Sequence, residues 1–156
     1  MTGQTALRTR TNSDEETAAA GRRLAATLRA GDVVILTGPL GAGKTVFVRG
    51  LAEGLGLDPH AVHSPTFAMV TEYGDETVSL SLVHADLYRI DNPAETEELG
   101  LMDSLEGNCV LAVEWGEKLS QRLRTGAIEV LIADAGGDAR EITIQDPRSR
   151  CREVEK

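Results

Sequence analysis

The chain has 156 residues, 41% hydrophobic and 26% charged, and its sixteen basic residues against twenty-five acidic ones leave a net charge of −9. That length suits one domain of ordinary size, and no apolar run approaches the roughly 20 residues a membrane helix needs. The acidity opposes binding to a polyanion by charge alone, so a nucleic-acid role would need a partner to hold the nucleic acid.

Met1 to Thr11 carries two arginines and no apolar core segment. Neither a secretory signal nor an anchor is expected, and the expected compartment is the cytoplasm. Residues 1–10 are expected to be a flexible tail. Ser13-Asp14-Glu15-Glu16 has the form of a capping box and starts a helix expected to run to about Arg29, ended by Gly31, with Leu24 and Leu28 as its apolar contact. Val33-Val34-Ile35-Leu36 is unbroken apolar sequence, as a parallel strand buried on both faces should be. After Gly38 to Thr45, Phe47, Leu51 and Leu55 recur at a spacing of four while Arg49 and Glu53 fall on another face, which predicts a second helix broken by Gly54 and Gly56.

Ser64-Pro65-Thr66-Phe67 introduces an extended segment toward Tyr73, and Gly74-Asp75 is a turn signal. The stretch from Val78 to Tyr88 reads as a strand paired with the preceding one, placing His84 and Asp86 on one face. Pro93 opens a helix over residues 94–99, and a short helical piece around Met102 to Leu105 ends at Gly107. Cys109 to Val113 is the second fully apolar strand, ending in Glu114-Trp115. Cys109 there and Cys151 in a polar tail supply neither a disulfide framework nor a metal-ligand spacing. Lys118 to Arg124 is a short helical candidate. Ile128 to Ala133 and Glu141 to Gln145 form a hairpin about Ala135-Gly136-Gly137-Asp138, and Pro147 to Lys156 is an expected frayed end. The order gives an α/β domain over 1–156: a three-layer, P-loop NTPase-like fold with a mixed, mostly parallel central sheet, helices on both faces and a C-terminal hairpin.

The chemistry concentrates at Gly38-Pro39-Leu40-Gly41-Ala42-Gly43-Lys44-Thr45, which meets every required position of the phosphate-binding loop between strand and helix. Glycines let backbone N–H groups approach phosphates, and the helix start adds its positive dipole end. Lys44 supplies a mobile charge for the outer phosphates, and Thr45 a hydroxyl for Mg²⁺. The stretch assigned to the nucleotide is Gly38, Gly41, Ala42, Gly43, Lys44, Thr45 and Val46. Glu114, at the carboxyl end of a buried strand, stands where ligands collect in open α/β sheets; its alternative is a solvated strand-end charge or a helix cap. Asp86 is a second acid for metal or water, or a plain exposed strand end. Thr66 fits a switch-loop threonine or an ordinary turn, and Trp115 fits core packing, a nucleotide contact or an interface anchor. Arg89 fits charge stabilisation and carboxylate pairing equally. His84 reads as a structural residue, and His60 and His63 have no metal-ligand companions.

The loop with its helix (GPLGAGKTVFVRGLAEGLG), Ser64-Pro65-Thr66-Phe67, His84-Ala85-Asp86-Leu87-Tyr88-Arg89, Glu98-Leu99-Gly100-Leu101 and Glu114-Trp115 together resemble the TsaE (YjeE) family, in order and spacing over roughly residues 11 to 146. The resemblance implies a bacterial ATPase needed for the threonylcarbamoyladenosine modification of tRNA, working with two partner proteins, TsaB and TsaD. It implies ATP and Mg²⁺ at Lys44 and Thr45, Asp86 and Glu114 as functional acids contributing to catalysis and the metal, Trp115 as a functional neighbour and a raised standing for Thr66. Base contacts would lie near Thr11 to Asp14 and Gly137. The chain departs at Val46, where many members have a second threonine, and at Gly116, where proline is common. The acidity fits proteins that bind this chain while they hold the RNA. A small-molecule kinase is the alternative, although Arg122 and Arg124 lie in a stretch short for a lid. A non-hydrolysing, ATP-dependent assembly module is another. A GTPase would normally carry Asn-Lys-x-Asp, and no Asn here precedes Lys.

Overall fold

A computed structural model describes residues 5–39, 43–62, 70–74, 78–88, 100–101 and 107–147. Its elements are β1 (Thr5–Thr11), α1 (Asp14–Ala25), β2 (Val33–Thr37), α2 (Lys44–Gly54), β3 (Val70–Tyr73), β4 (Ser81–Asp86), β5 (Cys109–Glu114), α3 (Gln121–Arg124), β6 (Ile128–Asp134) and β7 (Arg140–Asp146). Single turns of 3-10 helix cover Pro59–Ala61 and Gly116–Lys118. The strands form one mixed sheet in the order β1-β7-β6-β2-β5-β4-β3. Its centre, β6-β2-β5-β4, is parallel, and β1-β7, β7-β6 and β4-β3 are antiparallel.

Alternation along the central strands divides the core into two layers. Val34 and Leu36 of β2, Val110 and Ala112 of β5 and Leu82 of β4 pack beneath Phe47, Val48 and Leu51 of α2 and Leu24 of α1. On the opposite face Val33, Ile35, Val83, Ala85, Leu111 and Val113 meet Leu101, Leu119 and Leu123. A side chain such as Phe47 or Leu51, fully buried, contributes about 1.5–3 kcal/mol through removal from water. The two major helices approach closely because Gly21 and Gly50 lack Cβ atoms: a methyl group on Gly50 would run into the Ala18 carbonyl, and one on Gly21 into that of Phe47. Among the described residues no helix is long and apolar enough to cross a membrane.

The capping box forms with a one-residue variation. Ser13 Oγ accepts from Glu16 N at 3.1 Å, while Glu16 Oε1 accepts from Asn12 N at 2.9 Å, one residue before the N-cap. Two expectations are corrected. The helix ends at Ala25, short of Arg29: Thr27 turns its hydroxyl back onto the Leu24 carbonyl at 2.9 Å, and tight turns then carry Leu28 into the core. Residues 5–10 are no tail, because they belong to β1, which adds an antiparallel edge strand to β7 from Thr5 opposite Asp146 to Thr11 opposite Arg140. The expected extension at Ser64 to Phe67, the helix over 94–99, the helical piece around Met102 to Leu105 and the end beyond Pro147 lie outside the described residues.

Candidate functional site

The carboxyl ends of the parallel strands gather the polar residues. β2 runs straight into Gly38, and α2 begins at Lys44 behind the N-cap Gly43, whose φ of +100° lies in the left-handed region that glycine adopts without a Cβ penalty. The two long helices begin differently. α1 has a side-chain cap and Asp14, Glu15 and Glu16 in its first turn, whereas α2 has no side-chain cap and no acid there. The orphan amides and dipole of α2 are therefore available to an external anion. Of the nucleotide-assigned residues, Gly38, Gly43, Lys44, Thr45 and Val46 are described, and Gly41 and Ala42 lie outside the described residues, as does Thr66.

Lys44 is buried with its Nζ donating to the Gly38 carbonyl at 2.7 Å and standing 3.7 Å from Glu114 Oε1. Glu114 is buried too, and its other oxygen, Oε2, lies 2.8 Å from Nε2 of the fully buried His84. A carboxylate has only lone pairs to offer, so the imidazole nitrogen carries the hydrogen. Burial alone would push the Glu114 carboxyl up; the hydrogen bond and charge of His84 and the nearby Lys44 ammonium outweigh it and hold the group below the usual carboxylate range. Glu114 is thus an anion at neutral pH, facing a cation that has donors to spare.

Asp86 is half-buried on β4 and stands in register with Glu114 on β5, so both acids project from the same strand end. Its Oδ1 accepts from Tyr88 N at 3.0 Å, a local turn that fixes the carboxylate at the sheet edge. Thr45 is half-buried in the first turn of α2. The Thr45 hydroxyl and the carboxylates of Glu114 and Asp86 are the oxygen donors that would hold a hard cation such as Mg²⁺ here, and the uncapped start of α2 would suit an anion. Val46, in the same turn, lines a groove with Asp14, Ala18, Arg22 and Arg49.

Trp115 follows Glu114 with φ 63° and ψ 45°, the one non-glycine in the left-handed region among the described residues. This costly backbone turns the chain sharply off β5. The indole is half-buried, its ring centroid 5.1 Å from that of the exposed Tyr88, and Lys118 Nζ lies 5.7 Å from both centroids while donating to the Tyr88 carbonyl at 2.6 Å. Trp115 also lines a cavity of about 320 Å³ with Leu36, Thr37, Gly38, Pro39, Lys44 and Glu117. It therefore borders both the lysine and the surface, rather than being core packing alone. Arg140 is a neighbour that sequence reasoning missed: a Cβ on Gly43 would lie 3.7 Å from Arg140 Nε, and Arg140 Nη1 donates to the carbonyls of Gly137 and Ala139, tying the hairpin loop beside the helix start.

A profile of the family described as "Threonylcarbamoyl adenosine biosynthesis protein TsaE" matches residues 11–142. The chain belongs to the TsaE family. The tRNA threonylcarbamoyladenosine biosynthesis protein TsaE of Bacillus subtilis is 41% identical over 154 residues, covering 96% of this chain and 94% of that protein. The TsaE protein of Streptomyces coelicolor is 46% identical over 119 residues, covering 76% of this chain and 79% of its own. The crystal structure of Bacillus subtilis YdiB matches with a TM-score of 0.73 at 36% identity, covering 97% of this chain and 95% of that one. The α/β fold read from the sequence is that of this TsaE-family chain, and the family's place is in threonylcarbamoyladenosine biosynthesis.

Proposed function

We propose that this chain binds ATP with Mg²⁺ and hydrolyses it as the ATP-consuming component of threonylcarbamoyladenosine formation in tRNA, acting through TsaD-like and TsaB-like protein partners in the cytoplasm. The observation that carries the reading is the buried Lys44 held between the Gly38 carbonyl and the ionised Glu114 at the uncapped start of α2. A lysine so placed can exchange its bond to the Gly38 carbonyl for charge-assisted bonds to phosphate oxygens. When bound, Mg²⁺ supplies charge neutralisation on the phosphate oxygens. Thr45 offers its hydroxyl to that ion. Glu114 and Asp86 supply the carboxylates, and either acid fits either role, holding the metal's water shell or orienting the attacking water. The assignment of Gly38, Gly41, Ala42 and Gly43 to the nucleotide rests on the sequence pattern, in which backbone amides would face the phosphates.

The net charge of −9 supports indirect contact with tRNA, through the partners, over direct contact. Tyr88, Trp115 and Lys118 beside the site form a surface able to report the nucleotide state to a partner. The kinase reading loses its lid: Leu119 and Leu123 are buried in the core, which ties down the segment carrying Arg122 and Arg124. The test is single-turnover ATP hydrolysis by the full chain with both partners. Wild type should release phosphate, and Lys44→Ala and Glu114→Ala should not. Phosphate release equal in wild type and both variants would overturn hydrolysis at this site, and binding without hydrolysis would favour an assembly module.

A further inference from the structure

The buried histidine of β4 has no role in the scheme above, yet its surroundings are unusual for a core residue. His84 lies at the middle of a central strand, opposite Ala112 on β5 and Thr71 on β3, with no exposed surface. An imidazole in such a place is costly unless its polar atoms are engaged. One is engaged, with Glu114 Oε2 at 2.8 Å; the other, Nδ1, has no hydrogen-bond partner. A histidine retained only to satisfy the core would be expected to pair both nitrogens. The small Ala112 opposite leaves the ring space to reach two residues further along β5, to Glu114 on the same face.

We infer that His84 is a positioning residue: by holding Glu114 Oε2 it fixes the carboxylate so that Oε1 alone faces Lys44 and the nucleotide. The inference rests on the hydrolysis reading of the site. Without the imidazole donor, Glu114 keeps its neighbour Lys44 but loses the bond that restrains its side-chain rotation. The nucleotide, held by the loop and Lys44, still binds. The water or metal shell served by Oε1 is less well placed, so turnover falls while affinity does not. Partners that orient a metal-site ligand typically carry about ten- to hundred-fold of activity.

The test compares His84→Met, which fills the space without a donor, with His84→Gln, whose amide N–H reaches toward the same point, in the full chain with its partners. Thermal melting of each verifies folding. His84→Met should lower kcat at least about ten-fold with KM for ATP within about three-fold of wild type, and His84→Gln should recover most of the loss. On a Glu114→Gln background, His84→Met should lower kcat no further, since the group it positions is gone. Equal turnover in wild type and a folded His84→Met, a loss that His84→Gln does not relieve, or an undiminished loss in the Glu114→Gln background would each overturn the positioning role. Should His84→Met fail to fold, His84→Leu takes its place in both backgrounds, and a kcat for His84→Gln far below wild type overturns the positioning role. Absence of hydrolysis by the wild-type chain with partners would instead remove the function reading, and this inference with it.

Discussion

Lys44 Nζ and Glu114 Oε1 face each other at 3.7 Å, both side chains buried, one from the first turn of α2 and the other from the end of β5. The pair is longer than a hydrogen bond, and the lysine's short bond goes to the Gly38 carbonyl at 2.7 Å. Glu114, by contrast, is pinned by His84 on its other oxygen. The two members are held by different partners, the cation by the loop and the carboxylate by the neighbouring strand.

That division separates binding from turnover. Lys44→Ala is expected to weaken ATP binding at least about ten-fold, because it removes a charge-assisted bond to phosphate. Glu114→Gln is expected to leave binding within about three-fold of wild type and to lower kcat about hundred-fold or more. Equilibrium binding with a fluorescent ATP analogue, alongside single-turnover kinetics, checks both.

Glu114 also sets a pH dependence of stability. Its carboxyl is held below the 4.5 of a free glutamate, so between those two values the unfolded chain binds more protons than the folded one. The stabilisation is fully present above about pH 5 and is lost as pH falls through the depressed folded value. Urea unfolding of wild type and Glu114→Gln from pH 7 to pH 3 should show the wild-type advantage shrinking in acid. A difference that stays constant would mean Glu114 is not held ionised.

The glycines in and just beyond α2 differ in why they are needed. Gly50→Ala places a methyl group against the Ala18 carbonyl and is expected to destabilise by about 1–3 kcal/mol, as overpacking does. Gly56 has nothing within 4 Å of its absent Cβ but a φ of +85°, so Gly56→Ala is expected to cost about 1–2 kcal/mol through backbone strain alone. Thermal melting checks both, and suppressor changes at Ala18 cannot help because the obstacle there is main chain.

Ser13→Ala should cost about 1 kcal/mol, the value of a side-chain cap, read as a lower urea midpoint at unchanged slope.

The sequence made the central features legible where local chemistry and fold agree. The cap at Ser13, the apolar runs Val33 to Leu36 of β2 and Cys109 to Val113 of β5, the β6-β7 hairpin about Gly136 and Gly137 and the loop before α2 carry their signals in a few adjacent residues. β1 was misread as a tail because an edge strand draws on main-chain bonds to β7 rather than apolar burial: Leu7 is more than half exposed. The end of α1 depends on a hydroxyl, Thr27, turning back on its own helix. His84 and Glu114 are 30 residues apart, and only the parallel register of β4 and β5 brings them together. No spacing rule would have paired them. The left-handed Trp115 and the approach of Arg140 to Gly43 are likewise products of tertiary structure.

Titration calorimetry of the full chain with ATP and Mg²⁺ tests the central claim most directly. One saturable site is expected, lost on Lys44→Ala and retained on Glu114→Gln. Absence of binding to the wild-type chain, or binding that Lys44→Ala leaves unchanged, would contradict an ATP site built on Lys44 and Glu114.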